Sequence, residues 1–234
     1  MGPGVIRYRF AVTAGAYPRA RTSSTQVTTL HLVEPLLAFG AALISLRLGG
    51  GLVARWRSRR APQLAAWAGS LFAYAIASGA LAWGAAAGWN DHSFRVYYLF
   101  GGLLTAPLLG VGSLLLVGIR RASGPAFAYV GLAVGVSLAV PLAAPVSGSS
   151  IPEAQTHLDL FPARVLAIAA NSLGTLAVVA VAVWTIRRRP LGNGLVLAGV
   201  AFAAAGSALA GLGEAETAAF IAVAAALLYA GFVR

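Results

Sequence analysis

Among the side chains able to hold a cation or move a proton, seven could gather on one side of the chain's apolar runs: His31, Glu34, Asp91, His92, Glu153, His157 and Asp159. Imidazole nitrogens and carboxylate oxygens are the donors that Zn²⁺ and similar ions accept, commonly in a tetrahedral set. The spacing supplies no ready pair of ligands, neither HExxH nor two histidines one helical turn apart. A metal centre therefore requires separate stretches to converge, with His31, Glu34, His92 and His157 as ligands. Glu34, Asp91 or Asp159 would then be the general base of a metal-assisted hydrolase. Ordinary solvated loop positions are the alternative.

The densest of these groups is residues 88–98, GWNDHSFRVYY. Asp91 precedes a helical run and can cap its N-terminus, and Arg95 stands four residues on, where it can pair with Asp91. Otherwise Arg95 presents its planar fork to an anionic substrate or a lipid phosphate. A second loop, residues 148–164, carries Glu153, His157, Asp159 and Arg164. If the two act together, Asp91, Arg95, Asp159 and Arg164, with Trp89, Tyr97 and Tyr98 beside them, form a ligand-binding site.

Other chemistry is ruled out by composition. The chain has no cysteine, so disulfides and thiolate-bound cofactors are excluded. All 17 basic residues are arginine, so a retinal Schiff base, which needs a lysine amine, is excluded too.

The elements that must position these groups are apolar helices. Hydrophobic residues make up 59% of the 234 positions and charged residues 10%, with mean hydropathy +0.81. Soluble domains carry about 25% charged residues, so this composition indicates a multi-pass membrane protein. Apolar runs predict an all-α bundle of seven transmembrane helices, near residues 30–48, 64–87, 96–119, 126–146, 165–186 and 194–213, with a seventh ending at Arg234. The fourth includes Gly131 and Gly135 at GxxxG spacing and is expected to bend at Pro141 and Pro145. Trp67, Trp83 and Trp89 fall at span ends, where an aromatic belt is expected.

Charge sets the expected orientation. Loops after the first, third and fifth spans carry Arg55, Arg57, Arg59 and Arg60, then Arg120 and Arg121, then Arg187, Arg188 and Arg189; the loops between carry the acids. The arginine bias places the N-terminus outside and the C-terminus in the cytoplasm of a prokaryotic plasma membrane. Each arginine cluster is followed by proline, a weak repeat that topology explains as well as duplication does. Residues 1–26 read as a disordered tail ahead of a 27–234 transmembrane domain; their four arginines would lie outside against the bias, which suggests translation starting near Val27.

Inside the spans, Tyr74, Ser78, Thr105, Asn171, Ser172 and Thr175 either line a pocket or hydrogen-bond between helices. Glu34 is the one carboxylate that can enter the hydrocarbon, and the later spans carry no charge at mid-depth, which disfavours proton-coupled transport. The expected function is therefore non-catalytic: binding, transport or scaffolding through an external polar vestibule. Its partners would be the lipid bilayer, a small-molecule or lipid ligand, or a membrane partner subunit. A metal-assisted hydrolase at the external surface is the alternative. Nucleic acid is not expected, because the arginines are not interleaved with aromatics on a soluble face.

Overall fold

The computed structural model describes residues 24–209 and 223–231, and the side chains of 35–203 and 223–231. The described residues are helical with no strand. Among the described residues five helices are long and apolar enough to cross a membrane, as in a multi-pass membrane protein. They are α1 (Ser24–Arg59, its apolar part Pro35–Arg59), α2 (Pro62–Ala87), α3 (Asp91–Leu116), α4 (Arg120–Ala139) and, after the short α5 (Ala154–His157), α6 (Leu160–Trp184). The next helix, α7 (Pro190–Leu209), has a shorter described apolar stretch, and α8 covers residues 223–231. The proposed tail up to residue 23, the loop of Glu214 and Glu216, and the side chains of His31 and Glu34 lie outside the described residues.

Several boundaries differ from the sequence reading for identifiable reasons. Helix α1 continues past Arg47 through Gly49–Gly51 to Arg59, so three of the first four clustered arginines lie on its last turns. Three consecutive glycines would weaken a helix, but Gly49 is clamped: a Cβ there would stand 3.0 Å from the Phe72 ring. Helix α2 opens with Pro62 in its first turn, where the missing N–H is no loss. Helix α4 ends at Ala139 instead of bending through Pro141; Val140 is extended (ψ 122°), as a residue before proline tends to be.

Packing fixes the order of helices. Helices α1 and α2 form an antiparallel hairpin, with Ala38 packed near Leu81 and Gly49 near Phe72. Helix α3 returns along α2 and runs parallel to α6. Their backbones meet at Gly110 and Gly174, where a Cβ on Gly110 would lie 2.6 Å from the Gly174 carbonyl oxygen. Trp67 is 2% exposed and its indole lies against Gly112. Trp67 and Trp89 are thus core residues rather than belt residues, because bare glycine backbone makes room for each indole. Trp83 is exposed. Helix α4 is peripheral: Phe127, Leu132 and Leu138 face outward, and neither Gly131 nor Gly135 has an atom within 4 Å of its Cβ position. This exterior of large apolar side chains suits a hydrocarbon solvent.

Helix α3 is not uniformly α. Residues Tyr98–Leu104 form a π turn after the first seven residues, Asp91–Tyr97, and Pro107 follows. Proline has no N–H, so the carbonyl of Leu103, its α-register acceptor, and that of Gly102, its π-register acceptor, lose their usual donor. Those two carbonyls are taken by other helices: Tyr129 Oη of α4 donates to Leu103 O at 2.6 Å and Asn171 Nδ2 of α6 to Gly102 O at 2.6 Å. Ser70 Oγ of α2 donates to Thr105 O at 2.7 Å, and Thr105 Oγ1 to Phe100 O at 2.7 Å. A helix irregularity in the bundle interior is thereby pinned from three sides.

Candidate functional site

The arginine clusters and the described carboxylates sit at opposite ends of the bundle. The carboxylate end begins where α2 stops. Gly88 adopts φ +89°, a value that strongly favours glycine, and its N–H bonds Gly84 O at 3.0 Å. This turn lays the Trp89 indole across Gly84, where any side chain would strike the ring. Trp89 is 4% exposed, meets Tyr97 edge-on with centroids 5.5 Å apart, and its buried Nε1 has no hydrogen-bond partner among the described residues.

Asn90, not Asp91, caps α3. Its Oδ1 accepts from His92 N and Ser93 N at 3.0 Å each, while Ser93 Oγ accepts from Asn90 N at 3.0 Å, a reciprocal capping box. The Asp91–Arg95 pair expected from spacing does not form either. Asp91 Oδ1 accepts from Val146 N at 2.8 Å, and Arg95 Nη1 donates to Ser137 O at 2.5 Å. Both charged side chains are spent on backbone of α4 and the segment beyond it. Ser137 O needs such a donor because Pro141, four residues on, cannot supply one.

These bonds fold the second loop onto the first. Trp89 N donates to Gly148 O at 2.7 Å, and Ala143 N to His157 O at 2.9 Å. His157 Nδ1 lies 3.1 Å from Ala144 O, and its ring meets Phe94 edge-on at 5.5 Å. Phe94, 1% exposed, also stacks on Tyr98 at 5.9 Å, and Tyr98 Oη donates to Ala163 O at 3.3 Å. Loops 88–98 and 148–164 therefore make one closed cap. Trp89, Asp91, Arg95, Tyr97, Tyr98 and His157 belong to its fastening; His92, Glu153 and Asp159 are exposed on its surface, and Arg164 is half-buried beside Ala163.

The two turns differ in local structure. Asn90 caps α3 with its side chain, whereas Asp159 at the start of α6 makes no side-chain cap bond, and a π turn with a cis Phe161–Pro162 peptide leads into that helix. Among the described residues neither turn holds an ion pair, and no three His, Asp or Glu side chains stand close enough to share a metal ion. His92 and His157 are the described members of the four-ligand set; the His31 and Glu34 side chains lie outside the description.

A crevice enters the cap between Phe94, Arg95, Tyr98, Val136, Ser137 and Leu158. Its volume is about 10 Å³, room for about one water molecule. Deeper in the bundle, Asn171 and Thr105 are committed to the π turn, and Ser172 and Thr175 face outward. The buried Tyr74 hydroxyl lies beside Ser78 without closing a hydrogen bond.

Sequence reasoning missed Asn90, Ser93, Ser137 and Gly84. Two had a readable signal: Asn90 and Ser93 stand at the spacing of a capping box. The Ser137 carbonyl could also be found, by counting four residues back from Pro141. No known protein family, curated protein or solved structure matches the chain.

Proposed function

We propose that this chain is a non-catalytic scaffolding protein, a seven-helix bundle of a prokaryotic plasma membrane, whose cap faces outward and docks a membrane partner subunit. The arginine clusters supply the orientation, since the end rich in arginine stays in the cytoplasm. The observation that carries the reading is the closure of the cap. Arg95 and Asp91 are bonded to backbone of α4 and the segment after it, Trp89 N bonds Gly148 O across the two loops, and the exposed surface bears Asp91, His92, Glu153 and Asp159. Small-molecule sites are concave, on the order of 300–1,000 Å³, and the crevice beside Arg95 is far below that. A fastened surface suits protein docking, where pre-organisation lowers the cost of association.

Photo-reactive side chains placed at His92 and Glu153, with Leu138 on the apolar exterior as control, test this in native membranes. The expected result is one discrete protein adduct at both cap positions and none at Leu138. Arg95→Ala, which releases Ser137 O and loosens the cap, should abolish the adduct while the bundle still purifies as a folded species. Adducts that ignore Arg95→Ala, or that arise equally at Leu138, would overturn the docking reading.

A further inference from the structure

At the arginine end a second crevice of about 10 Å³ opens between α3, α6, α7 and α8, and Arg189 stands in its lining. The position is prepared by its neighbours. Arg189 O accepts from Asn193 N at 2.9 Å, and the guanidinium lies over Gly192, with Nη2 3.7 Å from where a Cβ would stand. Asn193, 6% exposed, is fixed by a 2.8 Å bond from Nδ2 to Thr185 Oγ1, which donates in turn to Val181 O at 2.7 Å. The walls are apolar: Leu116, Val178, Val181 and Val196. Val178, Val181 and Val196 are buried, while Trp184 of α6 and Leu191 of α7 are strongly exposed.

Among the described residues no carboxylate stands there to balance the charge. Arg187 and Arg188 are exposed beside Arg189, and the described carboxylates Asp91, Glu153 and Asp159 are at the far end of the bundle. Among the described residues no acceptor takes the Arg189 guanidinium. A guanidinium fork binds two oxygens of a phosphate at once, and basic pockets between membrane helices recruit anionic headgroups. The crevice holds about one water, so a phosphate would seat at its mouth, with acyl chains lying outside against exposed apolar side chains such as Trp184 and Leu191.

We propose that the mouth of this crevice is a binding site for the phosphate of an anionic phospholipid, held by Arg189 with Arg187, Arg188 and Asn193 around it. Free phosphate shares the headgroup chemistry, but it would make no use of the exposed apolar side chains of α6 and α7. The inference rests on the membrane reading alone and is independent of what the cap docks.

The full chain, purified in neutral detergent, can be titrated with phosphatidylglycerol, phosphatidylcholine or inorganic phosphate, with bound species counted by native mass spectrometry. One phosphatidylglycerol is expected to bind saturably, in preference to phosphatidylcholine. Arg189→Gln should weaken that binding about tenfold, as expected for loss of charge-assisted hydrogen bonds. Arg55→Gln, an exposed arginine on α1, should leave it unchanged. If Arg189→Gln does not stay monodisperse, Arg189→Lys, which keeps the charge and loses the fork, decides the matter by an intermediate loss. Undiminished binding in the Arg189 variants, an equal loss in Arg55→Gln, or equal affinity for phosphatidylcholine overturns the site. Displacement of the lipid by millimolar inorganic phosphate assigns it to a free anion and overturns the lipid.

Discussion

At the scale of single residues, prolines explain more of this molecule than its charged groups do. Pro107 strips the donor from Leu103 O and Gly102 O, and Pro141 strips it from Ser137 O; Tyr129, Asn171 and Arg95 are the side chains that answer. Arg95 was conspicuous in the sequence as a cation beside Asp91, yet its partner is a carbonyl of another helix, orphaned by the proline just beyond that helix's end. Asp91 likewise looked like a cap, and the cap is the neutral residue before it. Asn90→Ala should therefore cost about 1 kcal/mol of stability and Asn90→Asp should cost little, measured by reversible unfolding in mixed micelles. Asp91→Ala should leave the start of α3 helical, because its bond goes to Val146 N. A cost at Asp91 accompanied by unwinding of α3 would contradict this assignment.

At the scale of elements, the π turn of α3 is the feature with the clearest internal logic. Asn171→Leu should destabilise the bundle by about 1 kcal/mol, in the range found for hydrogen bonds between membrane helices. The informative version is a cycle with Pro107→Ala. An alanine at 107 returns an N–H to the neighbourhood of Gly102 and Leu103, so the same Asn171→Leu change should cost about half as much in that background. Equal costs in both backgrounds would mean that Asn171 is not compensating for the proline. The five described spans were legible as apolar runs, and arginines with a proline mark where α2, α4 and α7 begin. Their ends were less so. Helix α1 outruns its apolar core because Phe72 supports a glycine-rich turn, and α4 stops short because Val140 is committed by the proline after it. Both depend on a neighbour in space or on a backbone preference that hydropathy does not register.

At the scale of the whole molecule, charge is segregated along the bundle, with clustered arginines at one end and the described acids at the other. That arrangement was legible from the sequence because loops inherit the alternation of the helices. The convergence of the two cap loops was not, because it is made by backbone bonds such as Trp89 N to Gly148 O, which carry no side-chain signature. The absence of cysteine makes the proposed orientation directly testable. A single cysteine at exposed Ser149 should react with a membrane-impermeant maleimide on intact cells, and one at exposed Ser58 only after permeabilisation. The reverse pattern would invert the bundle.

Helix α4 touches the rest of the molecule through few anchors, Tyr129 to Leu103 O and Arg95 to Ser137 O among them, while its outer face is given over to Phe127, Leu132 and Leu138. In mechanical terms it is the weak link among the five described spans. A load applied along the polypeptide should peel α4 away as a first, discrete event, and the hairpin of α1 and α2, joined along its length, should hold longest.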